Sequence, residues 1–177
     1  MIVILTILCK LLPRCCCGWG LLWIRYLRGV SGLALRYIVL KRLAFECGDN
    51  VSIHDAVVVR FPDKLRLGKN ISIHPFCYLD AQGNIDIGDD VSIAHNVSIL
   101  SFEHDMDSFS TPIKDAPCIP KRIKIENNVW IGVGVRVLGG VKIGTGAVLG
   151  ANAVVTRNIP PKAIAVGVPA RVIKIRE

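Results

Sequence analysis

A repeat of six residues governs the chain from residue 46 onward. Gly48-Asp49-Asn50-Val51-Ser52-Ile53 returns as Gly68-Lys69-Asn70-Ile71-Ser72-Ile73 and again as Gly88-Asp89-Asp90-Val91-Ser92-Ile93, each copy displaced by 20 residues. Aliphatic residues stand six apart at Leu67, Ile73, Leu79 and Ile85, then at Ile87, Ile93 and Ile99, and then without a break at Ile125, Ile131, Val137, Ile143, Leu149 and Val155. Four places after many of these comes a smaller or branched residue: Cys77, Val97, Val135, Ala147, Ala153. A period of six matches neither a helix at about 3.6 nor a strand at 2. It suits a short strand plus a turn, three of which close one triangular coil of about 18 residues with the aliphatics stacked inside. The coils of 20 carry two extra residues at a corner, as in Leu65-Arg66-Leu67 and Ile85-Asp86-Ile87. Coils stacked at the strand spacing of about 4.8 Å line up equivalent residues as ladders, so the expected fold is an all-β solenoid.

Composition agrees with one folded domain. The 177 residues are 51% hydrophobic and 20% charged, which excludes disorder, collagen-like repetition and coiled coil. The net charge of +8 suggests a nucleic-acid binder until its distribution is read. Residues 1–45 hold Lys10, Arg14, Arg25, Arg28, Arg36, Lys41 and Arg42 and no acid, whereas from Glu46 onward 15 basic residues face 14 acidic ones. A basic, apolar leader on a nearly neutral body points to an anionic membrane surface and away from nucleic acid.

The leader's opening uncharged run, Met1 to Cys9, is nine residues, short of the roughly 20 of a spanning helix. No basic residue precedes that run and no small-x-small site closes it, which argues against a secretory signal. The expected site of action is therefore cytoplasmic, on the cytoplasmic face of the inner membrane. From Trp19 to Arg42 the pattern is helical. Arg25, Arg28, Gly32 and Arg36 recur at spacings of 3, 4 and 4 and would share one face, with Gly29 and Gly32 allowing a break near Ser31. Two placements are open: a helix lying in the membrane interface with snorkelling arginines, or a helix packed on the body or on a second subunit. The seven cysteines contain no C-x-x-C pair, so zinc ribbons and redox dithiols are not indicated, and the Cys15–Cys17 run reads as small apolar packing or a lipidation site. The expected divisions are a helical leader at 1–45, a solenoid at 46–160 carrying a loop at 100–122, and a closing segment at 161–177.

The repeat distance lengthens to 38 between Gly88 and Glu126, one coil of 20 plus 18 residues that fit no hexad. That insertion includes Ser101-Phe102-Glu103-His104-Asp105-Met106-Asp107, then Pro112, Pro117 and Pro120. A long loop in a regular solenoid is more often functional than accidental. His104 is its candidate general base, because a neutral imidazole with a pKa near 6.5 can accept a proton from an attacking hydroxyl. Glu103, Asp105 and Asp107 are candidates to orient the imidazole or meet an acceptor.

With these features the sequence resembles the hexapeptide-repeat proteins, and within them the O-acetyltransferases of galactosides, maltose and capsule or exopolysaccharide. The resemblance covers about residues 46–177. It implies a left-handed parallel β-helix, a hand that the general preference for right-handed crossovers would not predict. It also implies a homotrimer with active sites between subunits, acetyl-CoA as co-substrate, a sugar or glycan acceptor and no metal. Leu100-Ser101-Phe102-Glu103-His104 resembles the segment that carries the catalytic His. Asn127-Asn128-Val129-Trp130-Ile131-Gly132-Val133-Gly134 is the strongest local match; it implies Trp130 in the active-site cleft and the Val133 backbone N–H as oxyanion donor. Glycines at 132 and 134 either permit close approach of pantetheine or form tight corners. By the same resemblance Ala151, Thr156 and Arg157 line the coenzyme slot, and Arg171 and Lys174, in Gly167-Val168-Pro169-Ala170-Arg171-Val172-Ile173-Lys174, meet nucleotide phosphates. His74 falls where the sugar enzymes carry an acceptor-contacting Asn, which leaves His74 and Asp105 as acceptor candidates. A three-histidine zinc site, known in this fold, is disfavoured because His54 and His74 are 20 apart and no H-x-x-x-x-H occurs. A non-catalytic scaffold, or an acetyltransferase for serine or antibiotics, is the competing reading.

Overall fold

The computed structural model describes residues 17, 20, 21, 23–107 and 111–177. From Glu46 the chain winds into a triangular prism with three parallel sheets as its faces. The first face stacks Glu46–Cys47, Leu65–Leu67, Ile85–Ile87, Ile123–Ile125 and Lys142–Ile143; the second stacks Val51–Ile53, Ile71–Ile73, Ser92–Ile93, Trp130–Ile131, Val148–Leu149 and Ala163–Val166. The third stacks Val58–Arg60, Tyr78–Asp80, Ser98–Leu100, Arg136–Val137 and Val154–Val155. Registers follow the repeat: Ile73 pairs with Ile93 and Leu67 with Ile87 in the early coils, and Ile125 pairs with Ile143 and Ile131 with Leu149 in the later ones. The inserted stretch leaves the ladder intact, since Ile87 still meets Ile125 and Ile99 still meets Val137.

Every hexad aliphatic is buried, and Cys77, Val97, Val135, Ala147 and Ala153 fill the remaining interior at zero exposure. In the two-residue corner additions both aliphatics turn inward: Leu65 and Leu67 are buried while Arg66 faces out, and Ile85 and Ile87 flank the outward Asp86. Burial of this continuous column is the main favourable term in the fold.

The corners explain the polar half of the repeat. Between first and second faces the chain takes a left-handed conformation at Asn50, Asn70, Asp90 and Asn128, and short polar side chains tolerate it better than most residues do. These side chains also join successive coils, Asn50 Nδ2 donating to Asn70 Oδ1 and Asn70 Nδ2 to Asp90 Oδ1, both at 2.7 Å. In the later coils Glu126 does the equivalent work. Its carboxylate accepts from the Thr145 N–H and hydroxyl at 3.0 Å and pairs with Lys142 Nζ at 2.9 Å. Lys142 and Thr145 thereby hold the Glu126 pKa down at about 2. A carboxylate depressed in the folded state stabilises above its unfolded pKa of about 4.3 and loses that contribution as pH falls through the folded value. Thermal unfolding of Glu126→Gln should therefore start below wild type near pH 6, with the gap closing between about pH 5 and pH 2. A gap that stays constant across that range would contradict the assignment.

The base of the prism is closed by helix α1, Gly29–Leu43. Residues 20, 21, 23 and 24 are also helical, and the two helical pieces are separated by a turn at Arg25–Arg28, three residues earlier than the Ser31 break expected from the glycines. Arg36 departs from the expected arginine face. It is 2% exposed and points into the protein, with Nε donating to Ile53 O at 2.7 Å and Nη1 to Leu27 O at 2.6 Å and Ile24 O at 3.0 Å. Gly32 makes the room, since a Cβ there would run into Leu27 O and the Arg36 guanidinium. Leu40 of α1 completes the core cluster at the open end of the first coil. Of the two placements open to this helix, α1 therefore packs on the body.

Candidate active site

The insertion begins at the corner between third and first faces. Ser101, fully buried, accepts from Gly83 N through its Oγ at 2.8 Å and donates the same hydroxyl to Asp80 O at 2.8 Å. Lys121 N returns to Ser101 O at 2.7 Å, so the loop enters and leaves through one neck. Gly83 lies so close to that neck that a side chain would strike Ser101 O and Lys121 N. Beyond it, Phe102–His104 pairs antiparallel with Cys118–Pro120, His104 opposite Cys118. The expected loop is thus a two-stranded arm, braced at its root by the Glu103–Lys121 ion pair at 2.5 Å. Glu103, immediately before His104, therefore holds the arm to its root. The arm's far part includes residues 108–110, outside the described residues.

His104 stands exposed on this arm. Its Nδ1 lies 3.4 Å from Ala116 O and 3.9 Å from Cys118 Sγ, and Phe102 meets the ring edge-on at 6.1 Å between centroids. A proton on Nδ1 would satisfy the Ala116 carbonyl and leave Nε2 as the ring's lone-pair nitrogen, the tautomer a base requires. Asp105 is turned back into the arm: its N–H donates to Pro117 O at 3.0 Å and its carboxylate accepts from Asp107 N at 3.0 Å.

The residues grouped by the second motif lie elsewhere. Trp130 projects from the second face, 55% exposed, between Ser92 below and Val148 above. The coils beneath present Ser52 and Ser72 at that ladder position, so Trp130 stands at the head of a strip of small residues. Val133 forms the corner between second and third faces. Its carbonyl accepts from Asn152 N at 2.7 Å, and its N–H has no backbone acceptor among the described residues. Arg136, which sequence reasoning did not single out, straps this corner: Nη1 donates to Asn96 O at 2.6 Å and to Gly134 O at 2.8 Å. Nothing in the hexad pattern distinguishes Arg136 from an ordinary outward-facing residue. The flanking glycines are explained by corner packing. A Cβ on Gly132 would meet Leu149 O and Ala151 N, while Gly134 takes φ +69° with the Asn152 carboxamide against its open side.

Ala151 is exposed on the next coil at the same corner, and Arg171 and Lys174 lie on an antiparallel strand, Arg171–Ile175, that closes the second face. Thr156 and Arg157 are exposed after the last strand of the third face. Arg157, Arg171 and Lys174 take part in none of the described ion pairs. Within one chain the root of the His104 arm and the Val133 corner sit at opposite edges of the third face. His74 lies at the same corner as Val133, on an earlier coil, and its ring stacks on that of His54 at 4.8 Å with 9° between planes. Burial first, and the His74 charge second, pull the His54 pKa down. Among the described residues no group of three His, Cys, Asp or Glu could hold a metal ion.

A prism of hexad coils, one coil interrupted by a histidine-bearing arm, defines the class of hexapeptide-repeat transferase solenoids. Residues 122–157 match the model of the bacterial transferase hexapeptide (six repeats). The chain is 46% identical over 119 residues to a probable acetyltransferase of Mycobacterium tuberculosis, which spans 67% of this chain and only 38% of that protein. It is 32% identical over 144 residues to the galactoside O-acetyltransferase of Escherichia coli, covering 81% of this chain and 70% of that one. Among solved structures, the hexapeptide-repeat acetyltransferase of Vibrio cholerae in complex with acetyl coenzyme A superposes with a TM-score of 0.82 at 28% identity, covering 93% of this chain and 87% of that one. The chain belongs to the hexapeptide-repeat acetyltransferase family.

Proposed function

We propose that this protein transfers an acetyl group from acetyl-CoA to a sugar hydroxyl of a polysaccharide or lipid-linked glycan. The observation that carries this reading is His104, exposed on the inserted arm with its Nδ1 engaged and its Nε2 without a hydrogen bond among the described residues, in a chain whose family includes a galactoside O-acetyltransferase. The residues present suit acetyl-CoA. Trp130 and Ala151 offer an exposed apolar wall and, among the described residues, the Val133 amide has no backbone acceptor and Arg157, Arg171 and Lys174 no carboxylate partner. Acetyl-CoA supplies an activated thioester. His104 Nε2 takes the proton of the acceptor hydroxyl as that oxygen attacks the thioester carbon, and returns it to the sulfur as the C–S bond breaks. Val133 N–H donates to the carbonyl oxygen as charge develops there. His74 and Asp105 are assigned to the acceptor side.

Because the arm root and the Val133 corner lie at opposite edges of one face, the site is proposed to form between subunits of a trimer, His104 of one copy meeting Trp130 and Val133 of the next. The binding half of the proposal has a direct test. Titrating acetyl-CoA should raise the unfolding midpoint, with about 2.7 kcal/mol of stabilisation at a hundredfold excess over Kd. A midpoint that does not move at saturating acetyl-CoA would favour a non-catalytic scaffold.

A further inference from the structure

The turn between the two helical pieces is tied to the body by its backbone and exposes its side chains. Its carbonyls are tied inward: Ile24 O and Leu27 O accept from Arg36, and Arg25 O accepts from Ala56 N of the prism at 2.7 Å. With the backbone pinned, the side chains point away from the body. Trp23 is 82% exposed, Tyr26 62%, Leu27 44% and Val30 82%, and every residue from Tyr26 to Ser31 is exposed. Four large apolar side chains within eight residues, over a turn whose Ile24, Arg25 and Leu27 carbonyls are already engaged, form a patch of the kind that marks an interaction site.

Charge selects the occupant. Arg25 lies over the Tyr26 ring at 4.5 Å, and Arg28 is exposed beside it. The first 45 residues contain seven basic residues and no acid. A second copy of the chain would bring Arg25 and Arg28 against the same arginines, whereas an anionic bilayer accepts both features at once. Trp and Tyr favour the headgroup level, apolar residues enter the acyl boundary, and arginines meet lipid phosphates. We infer that the Trp23–Val30 turn is a membrane-docking knuckle that seats the protein on anionic lipid, with Trp23, Leu27 and Val30 inserted and Arg25 and Arg28 at the headgroups. Arg36, in the same sequence pattern, has the separate task of holding the knuckle's shape. Among the described residues no helix is long and apolar enough to cross a membrane.

The full-length protein is floated with vesicles of phosphatidylcholine alone and of phosphatidylcholine mixed with phosphatidylglycerol. Wild type should float with the anionic vesicles, less so as ionic strength rises. Trp23→Glu/Val30→Glu should weaken that binding by at least about tenfold, and Arg28→Glu by about fivefold or more, with the thermal midpoint and its response to acetyl-CoA unchanged. Arg28→Glu keeps the test decisive should the double variant fold poorly, because its side chain makes no described hydrogen bond. Equal flotation of wild type and Arg28→Glu, or equal binding to neutral and anionic vesicles, overturns the inference. Unchanged flotation of the double variant with a smaller assembly by light scattering would assign the patch to a second copy instead. Failure of acetyl-CoA to bind would leave flotation untouched, so the two proposals stand or fall separately.

Discussion

His104→Ala should lower kcat by about 10² to 10⁴ while leaving the acetyl-CoA-induced rise in unfolding midpoint intact. The separation follows from geometry. The described contacts of the imidazole, with Ala116 O, Cys118 Sγ and Phe102, all lie within the arm, so its loss disturbs neither the stacked core nor the Trp130 and Val133 surface. A base acts only while it is unprotonated, so kcat should fall in acid, and His104→Ala should lose that fall along with its rate. Steady-state kinetics with a sugar acceptor measures both. Turnover within a few-fold of wild type would sink the base assignment, whereas loss of acetyl-CoA binding in this variant would move His104 from the chemistry to the binding surface.

Arg36→Met should destabilise the base of the prism by about 3 to 5 kcal/mol, since a buried guanidinium that satisfies three carbonyls is removed and those carbonyls lose their charged donor. Burial pulls the Arg36 pKa down and Asp55 opposes it, yet arginine remains charged, so the effect is independent of ordinary pH. Arg36→Lys should recover part of the loss, because one ammonium cannot span Ile53 O together with Ile24 O and Leu27 O. Amide hydrogen exchange gives the signature. Ala56 N–H, bonded to Arg25 O, should lose protection along with the first coil, while amides of the later coils, such as Trp130 and Gly132, keep theirs. Uniform loss of protection along the whole prism would instead mean that α1 is part of a single cooperative unit.

The prism was legible because its signal is additive. Thirteen aliphatics at one period leave few ways to bury them all, and each ladder position repeats the same local rule, so Ile131 or Leu149 is predictable from its place in the count alone. The same regularity made the inserted residues visible as the one place where the count fails. What the count could not supply was the form of that insertion. The pairing of His104 with Cys118 depends on the neck that Ser101, Gly83 and Lys121 make between distant coils. Glu103 had two candidate tasks beside His104, and only its reach to Lys121 singles out the bracing of the arm. Arg136 left no trace in the pattern for a related reason: its partners at the corner, Asn96 O and Gly134 O, belong to two different coils.

The leader shows the same division most sharply. Its acid-free charge and apolar character are properties of composition, readable without a fold. Four basic and small residues at spacings of 3, 4 and 4 looked equivalent along one helical face, yet Arg36 is buried and Arg28 is exposed. The sequence by itself determined the repeating coil, its buried ladders, the position of the arm and the charge contrast between leader and body, because each is set by local period or by simple counting. Only the tertiary structure decided which arginine clasps and which is free, and which edge of the prism each candidate catalytic group occupies. Those outcomes hang on hydrogen bonds between residues 9 to 40 apart in the chain, where no local pattern records which donor will find which acceptor.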